Sequence, residues 1–83
     1  MIKIGNYTLE GGGACPEQYD VFDQKESRVG YIRLRHGKLR AEYLDKIVYA
    51  AQPNGDGIFD EDERDFYLKK CIDAIDASTK LKL

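Results

Sequence analysis

The sequence is poor in the residues that most often build disulfide frameworks, zinc sites and catalytic centres. Its 83 residues hold one histidine, two cysteines and no tryptophan. Cys15 and Cys71 lie far apart in different sequence contexts, which makes neither a disulfide framework nor a zinc motif of closely spaced cysteines. We therefore expect two free thiols, no cofactor and a reducing compartment, with the cytoplasm as the default location.

Long apolar runs are also missing. None approaches the roughly 20 residues that a membrane-spanning helix needs, and residues 1–10 lack the basic start and apolar stretch of a signal peptide. Apolar residues still make up 42% of the chain and charged residues 34%, a composition typical of globular proteins. The sequence thus predicts one small folded domain over residues 1–83, without a membrane segment.

The net charge of −2 conceals two oppositely charged segments. Residues 25–46 contain seven basic and three acidic side chains, whereas residues 54–76 contain eight acidic and three basic ones. A basic segment of this kind can mark a nucleic-acid-binding face. The two segments can equally neutralise each other across one small domain, and the sequence leaves both interpretations open.

Alternation of apolar and polar side chains predicts a β-hairpin in the basic segment. The alternation covers residues 28–35 and 38–44, and His36-Gly37 between them suits a two-residue turn. Residues 11–18, with three glycines and a proline, predict a loop. Two further strands are predicted at about 18–23 and 46–51. Residues 2–9 predict another short strand or a hairpin, with a bend at Gly5-Asn6.

One stretch of this pattern is ambiguous. Residues 40–51 also fit a helix, because apolar side chains recur there at helical spacing. The β-branched and aromatic residues of 46–51 favour a strand, and we expect the strand.

The last third of the chain predicts a helix over about 60–77, followed by a fraying tail at 78–83. Its apolar stripe faces a core, whereas Phe66 falls almost opposite and is expected to be exposed. The stripe consists of Leu68, Cys71, Ile72 and Ile75, and Arg64 falls on the same side of the helical wheel. The predicted fold is α+β, an antiparallel β-meander of four to five strands with one C-terminal α-helix packed on one face.

Residues 52–63 resemble the calcium loops of EF-hand and dockerin proteins over twelve residues. The side chains at ligand positions are Asn54, Asp56, Asp60 and Glu63. The first ligand position, however, is Gln52 instead of a carboxylate, and Pro53 disfavours an incoming helix. Asp60 and Glu63 also have the spacing of a helix capping box, and carboxylates favour the first turn. We expect the cap, and weak calcium binding is the second alternative function.

The outward side chains of the hairpin form a candidate nucleic-acid site. Guanidinium groups can contact phosphates while an aromatic ring stacks on a base. The residues are Tyr31, Arg33, Arg35, Lys38 and Arg40. The competing interpretation is a solvated face whose arginines pair with Glu42 or with the acidic helix start. Nucleic-acid binding is therefore the first alternative function.

Catalysis has little support in the sequence. His36 is predicted at a hairpin tip, Cys71 on the buried stripe, and Cys15 in a glycine-rich loop where it would be an exposed thiol. A nucleophile needs a base within hydrogen-bonding reach, and the sequence places none beside Cys15. We expect a protein that is not an enzyme.

The preferred function is a protein-interaction or accessory module. The strand at 46–51, if it is last in the meander, leaves an open edge for a partner strand or a second copy. Tyr49 and the exposed Phe66 are expected to add apolar contact. Lys46, or pairing with the N-terminal segment, could instead block the edge.

The succession YDVFD, GYIRLRHG, GDGIFDEDER and YLKKCIDAI resembles small bacterial and phage-associated proteins of uncharacterised function. The resemblance covers residues 19–75. It implies a bacterial or mobile-element setting and brings no catalytic or binding residues with it.

Overall fold

In the computed structural model, which describes residues 1–81, six β-strands are followed by one α-helix. The elements are β1 (Ile2–Ile4), β2 (Tyr7–Gly12), β3 (Glu17–Phe22), β4 (Arg28–Arg35), β5 (Lys38–Tyr43), β6 (Lys46–Ala51) and α1 (Glu61–Lys80). Each strand pairs antiparallel with the next one, so the order in the sheet is β1-β2-β3-β4-β5-β6. The predicted α+β meander with one C-terminal helix is confirmed, with six strands instead of four or five.

The additional strand comes from the N-terminal segment. This segment bends at Gly5-Asn6, and Ile4 pairs with Tyr7 across the two-residue turn. Gly5 has a φ of +58°, a left-handed conformation that glycine adopts without the steric cost of a Cβ atom. β1 and β2 therefore form a hairpin, which is one of the two forms predicted for residues 2–9.

The glycine-rich segment 11–18 is partly strand. Gly11 pairs with Tyr19 and Gly12 with Gln18, so the loop shrinks to residues 13–16. Gly11 adopts a φ of +147°, and a Cβ atom there would lie 2.2 Å from the carbonyl oxygen of Gln18. The predicted loop is wrong at both ends, because the missing side chain lets β2 and β3 approach each other.

The alternative helix over residues 40–51 is wrong. Tyr43 pairs with Lys46 across a tight turn, in which Leu44 and Asp45 have φ angles of 49° and 69°. Positive φ at both central residues suits the right-handed twist of a β-hairpin. As a strand, β5 also pairs along its whole length with β4, and a helix would lose those hydrogen bonds.

The core lies between one face of the sheet and α1. The helix packs across β5 and β6, and its predicted stripe of Leu68, Cys71, Ile72 and Ile75 is buried. Burial raises the pKa of the Cys71 thiol to about 12, so this side chain packs as a neutral small hydrophobe. The sheet contributes fully buried side chains from four strands: Leu9, Val21, Ile32, Leu34, Leu39 and Ala41.

The helix is longer than predicted. Residues 78–80 belong to α1, where the Ser78 hydroxyl donates to the Ala74 carbonyl at 2.9 Å and Lys80 pairs with Asp76 at 3.0 Å. The Tyr7 hydroxyl donates to Asp76 at 2.8 Å, which ties the end of α1 to β2. The predicted tail is wrong for 78–80, and residues 82–83 lie outside the described part of the chain. No helix within residues 1–81 has the length and apolar character to cross a membrane.

Candidate functional site

The sheet surface that faces away from α1, here called the open face, carries the outward side chains of the strands. Strand register brings the charged side chains of β3, β4 and β5 into rows across this surface. Its main members are Glu10, Gln18, Asp20, Tyr31, Arg33, Arg35, Lys38, Arg40, Glu42, Ile47 and Ala50.

The structure brings four of the five predicted nucleic-acid residues together at one end of the open face. Arg33 lies directly opposite Arg40, and Arg35 directly opposite Lys38. We call these four residues the cationic corner. Like charges that face each other across two strands destabilise a sheet. The positive charges of the corner therefore repel each other across the two strands. An acidic residue opposite each basic one would have given attraction instead.

Only one residue of the cationic corner has a carboxylate partner. Arg40 Nε lies 3.0 Å from Glu42 Oε2, and this nitrogen is shielded from solvent and has no hydrogen bond within residues 1–81. Among residues 1–81, no carboxylate pairs with Arg33, Arg35 or Lys38. Of the two partners named by the competing interpretation, Glu42 is found beside Arg40, whereas no carboxylate of the acidic helix start pairs with the corner within residues 1–81.

The corner surrounds a concave site of about 350 Å³. Cationic side chains form one part of its lining, and Ile47 and Ala50 of β6 supply an apolar part. His36 stands at the rim, at the tip of the β4-β5 hairpin. The volume lies within the range of about 300–1,000 Å³ typical of small-molecule sites.

Tyr31 lies outside this concave site. It sits one row away, between Asp20 on β3 and Glu42 on β5. Its hydroxyl donates to Gln18, and the Arg28 guanidinium lies 5.8 Å from its ring centroid. The Tyr31 ring, which was predicted to stack on a base, therefore lies on the open face. It already has intramolecular contacts, and a carboxylate residue lies on each side of it.

The last strand of the meander leaves one side unpaired. No strand of the described residues lies beyond β6, and the N-terminal β1 pairs with β2 at the far end of the sheet. We call the unpaired side of β6 the open edge. Ile47 beside it is 60% exposed, and Lys46 begins the strand. Val48 has no register partner in β5, because the pairing shifts between Ala41 and Glu42.

The two side chains expected to add apolar contact fall in different places. Tyr49 pairs with Ala41 and packs against the core, so it lies on the helix side of the sheet instead of the open face. Burial accordingly raises the pKa of Tyr49. Phe66 is 57% exposed on α1 as predicted, with Lys70 5.5 Å from its ring centroid.

The acidic first turn of α1 holds the backbone that precedes it through one carboxylate, that of Glu63. Glu63 accepts hydrogen bonds from the N–H groups of Asn54 at 2.9 Å, Gly55 at 2.8 Å and Asp60 at 3.0 Å. Burial alone would raise the pKa of Glu63, but these three bonds hold it below its usual value. The predicted pairing of Glu63 with Asp60 at the helix start is confirmed.

One of the four side chains of the calcium prediction is held by the backbone, because Glu63 is turned toward the N–H groups of Asn54, Gly55 and Asp60. Within residues 1–81, no group of three or more histidine, cysteine, aspartate or glutamate side chains has a geometry that could hold a metal ion. Weak calcium binding by residues 52–63 stays a prediction.

A buried charged group that sequence analysis missed ties this segment to the sheet. Glu17 is 1% exposed and receives two hydrogen bonds from Arg64, at 2.8 and 3.2 Å. It also accepts the Phe59 N–H at 2.9 Å and the Tyr19 hydroxyl. Burial alone would raise the pKa of Glu17, but Arg64 and the two other donors hold it below its usual value.

Two sequence observations could have predicted this pair. In β3, Glu17 alternates with Tyr19 and Val21, which places its side chain on the core face. Arg64 occupies the buried stripe of the helical wheel. Opposite charges on the two faces that meet in the core predict a buried ion pair.

Residues 52–60, here called the junction loop, are also bound to two other loops. The Gly37 N–H donates to the Asp56 carbonyl at 2.7 Å, and the Cys15 N–H donates to the Gly57 carbonyl at 2.7 Å. A Cβ atom at Gly57 would lie 2.6 Å from Cys15 Sγ, so the close approach depends on glycine. The junction loop, the β4-β5 tip and the β2-β3 loop therefore form one continuous end of the molecule.

Cys15 has acid–base side chains in its neighbourhood. Cys15, His36 and Asp56 line one small cavity of about 80 Å³, an arrangement that the sequence could not place. In the described part of the chain, no hydrogen bond joins any two of these three side chains. The cavity therefore lacks a nucleophile held by its base.

Comparison of the chain with protein-family models, with curated protein sequences and with solved structures finds no match. The resemblance to small bacterial and phage-associated proteins stays a prediction.

Proposed function

We propose that the protein is a non-enzymatic interaction module that binds an extended segment of another protein along the open edge. The observation that supports this proposal best is the six-residue β6, which ends the sheet with one side unpaired. An edge strand presents unpaired backbone donors and acceptors, and a partner strand can add to them.

Natural sheets often protect such an edge with proline, bulges or charged side chains. β6 contains no proline and one charged residue, Lys46, at its first position. Its bulge lies beside Val48, and the exposed Ile47 gives a partner an apolar contact. The protection is thus partial, and the edge keeps both polar and apolar binding capacity.

Charge selects the kind of partner. Lys46 at the edge and Arg40 and Lys38 on the neighbouring β5 make this margin of the open face cationic. Two copies joined edge to edge would bring these positive groups together. We therefore commit to an acidic extended segment of another protein as the occupant.

The test uses two synthetic peptides of about ten residues, at the long end for a strand. One alternates valine with glutamate and the other alternates valine with lysine. The proposal predicts that the glutamate peptide shifts the amide resonances of β6 in an NMR titration and binds at least tenfold more tightly than the lysine peptide.

Val48 offers a matched pair of variants. Val48→Pro removes a backbone donor at the bulge, where proline is tolerated in sheets, and should abolish binding. Val48→Ala shortens the same side chain but keeps the donor, and should bind the peptide. Equal binding of both peptides, or equal binding by both variants, would contradict the proposal. Dimerisation in analytical ultracentrifugation that Val48→Pro abolishes would assign the edge to a second copy instead.

A further inference from the structure

The concave site at the cationic corner lies on the open face, and it shares the side chains of Lys38, Arg40 and Ile47 with the margin of the open edge. We propose that the cationic corner binds the phosphate of a nucleoside phosphate, and that the apolar lining at Ile47 and Ala50 contacts the sugar or base. The proposal concerns a different ligand from the partner strand and does not depend on it.

Most of the positive charge of the cationic corner is not neutralised by a carboxylate within residues 1–81. Arg33 faces Arg40 and Arg35 faces Lys38, although pairs of like charge weaken a sheet. Of the four side chains, Arg40 alone has a carboxylate partner among residues 1–81. A bound anion would convert this repulsion into attraction, because it places negative charge between the two strands.

The second argument is the number and kind of donors. Three of the four residues are arginines, whose planar guanidinium groups match the oxygens of phosphate with paired hydrogen bonds. Arg40 Nε already lies 3.0 Å from Glu42 Oε2, so the donors without a carboxylate partner among residues 1–81 are those of Arg33, Arg35 and Lys38. A single carboxylate has two oxygens and one charge, so it could satisfy only part of this group of donors. Phosphate provides more oxygens and more charge.

The third argument is the shape of the site. The cavity of about 350 Å³ is wider than a phosphate group needs, and its remaining lining at Ile47 and Ala50 is apolar. A ligand that fills both parts combines an anionic group with a flat, less polar group. Nucleoside phosphates have this composition.

The neighbouring row favours a short ligand over a long strand. Asp20 and Glu42 flank Tyr31 immediately beside the corner. A single strand that continued across this row would bring its phosphates against two carboxylates. We therefore assign the site to a free nucleotide, and an oligonucleotide serves as the competing probe.

The experiment is an NMR titration of the complete chain at low ionic strength with four probes: adenosine diphosphate, inorganic phosphate, adenosine and an oligothymidylate. Adenosine diphosphate should shift the amides of β4, β5 and β6 around the corner and bind at least tenfold more tightly than adenosine. Inorganic phosphate should shift the corner but bind more weakly than the diphosphate. Added salt should weaken both anions, because part of the attraction is electrostatic.

Variants of the same face separate this site from general attraction to positive charge. Arg33→Gln with Arg35→Gln should reduce the affinity for adenosine diphosphate at least tenfold. Arg28→Gln is the matched control, because Arg28 lies on β4 but pairs with Asp20 at 2.8 Å outside the cavity. Dispersed spectra of both variants would show that they fold.

Three results would overturn the proposal. The first is equal weakening by Arg28→Gln, which would indicate unspecific attraction. The second is the absence of shifts around the corner with the diphosphate. The third is an oligothymidylate that binds more tightly than the nucleotide and depends on Arg28 as well, which would assign the whole open face to single-stranded nucleic acid.

Discussion

Arg64 and Arg33 carry the same guanidinium group in opposite surroundings. Arg64 is partly buried and directs two hydrogen bonds to Glu17, while Arg33 lies on the open face opposite another arginine. Around Arg64, every carboxylate oxygen of Glu17 has a donor. Charge therefore stabilises the fold at the junction loop, whereas the like charges of the cationic corner destabilise the sheet.

The largest expected effect comes from breaking the buried pair. Glu17→Ala leaves the Arg64 charge without a partner and removes the acceptor of the Phe59 N–H. Breaking a buried ion pair typically costs about 3–5 kcal/mol. Because the Arg64 side chain is 25% exposed, solvent screening reduces the expected loss in the free energy of unfolding to about 2–3 kcal/mol.

Urea unfolding measures this loss, and Asp20→Ala on the same strand is the control. Asp20 pairs with Arg28 in an exposed position, where an ion pair contributes about 0.2–1 kcal/mol. Similar losses for the two variants would show that the buried pair has no special role in the fold.

Glu63→Gln is expected to lower the free energy of unfolding by a smaller amount, and this loss should depend on pH. The pKa of Glu63 is lowered in the folded state from its ordinary value of 4.5. The carboxylate therefore contributes stability at pH above 4.5, and this contribution is lost as the pH falls through the lower folded value. Losing charged acceptors for backbone N–H groups should cost about 1–3 kcal/mol at neutral pH.

The measurement is the free energy of unfolding at a series of pH values. In Glu63→Gln, the free energy of unfolding should decline less steeply as the pH falls. Part of the decline should remain, because the pKa of Glu17 is also lowered in the folded state. Glu61→Gln, an exposed residue of the same helical turn, should keep the wild-type slope. An unchanged slope in Glu63→Gln would contradict the proposed anchoring of the junction loop.

A substitution at the cationic corner should change the free energy of unfolding least, and it should raise this free energy instead of lowering it. Arg33→Gln removes one member of a like-charged cross-strand pair, which should raise the free energy of unfolding by about 0.2–0.5 kcal/mol. Arg28→Gln removes an exposed pair and should lower it by about 0.2–0.5 kcal/mol. Thermal unfolding of the two variants at low ionic strength compares them directly, and a clear loss in Arg33→Gln would mean that the corner stabilises the sheet.

The sequence predicted the meander because its side chains alternate with burial, as Ile32 and Leu34 illustrate on β4. The prediction was wrong at Gly11 and Gly12, where a glycine-rich segment typical of loops instead pairs closely with β3 as part of β2. A glycine-rich composition indicates that the backbone can adopt many conformations. Whether such a segment forms a loop or a strand depends on the strand beside it. The helix extended past its predicted end because Ser78 and Lys80 find partners one turn earlier.

The candidate site was only partly predictable. Alternation placed Arg33 and Arg40 on one face, but their direct opposition depends on strand register and on the turn at His36-Gly37. The apolar part of the cavity comes from β6, whose bulge beside Val48 no local pattern indicated. Tyr49 was expected on the outer face of the sheet, yet the strand register directs its side chain toward the core.

The measurement that tests the central claim most directly is urea unfolding of the wild type and Arg33→Gln at low ionic strength, each with and without adenosine diphosphate. A ligand that binds only the folded chain raises its free energy of unfolding according to its concentration and affinity. The predicted result is that Arg33→Gln is at least as stable as the wild type without ligand but gains much less stability from it. A variant that is less stable without ligand and gains equally from it would contradict the account.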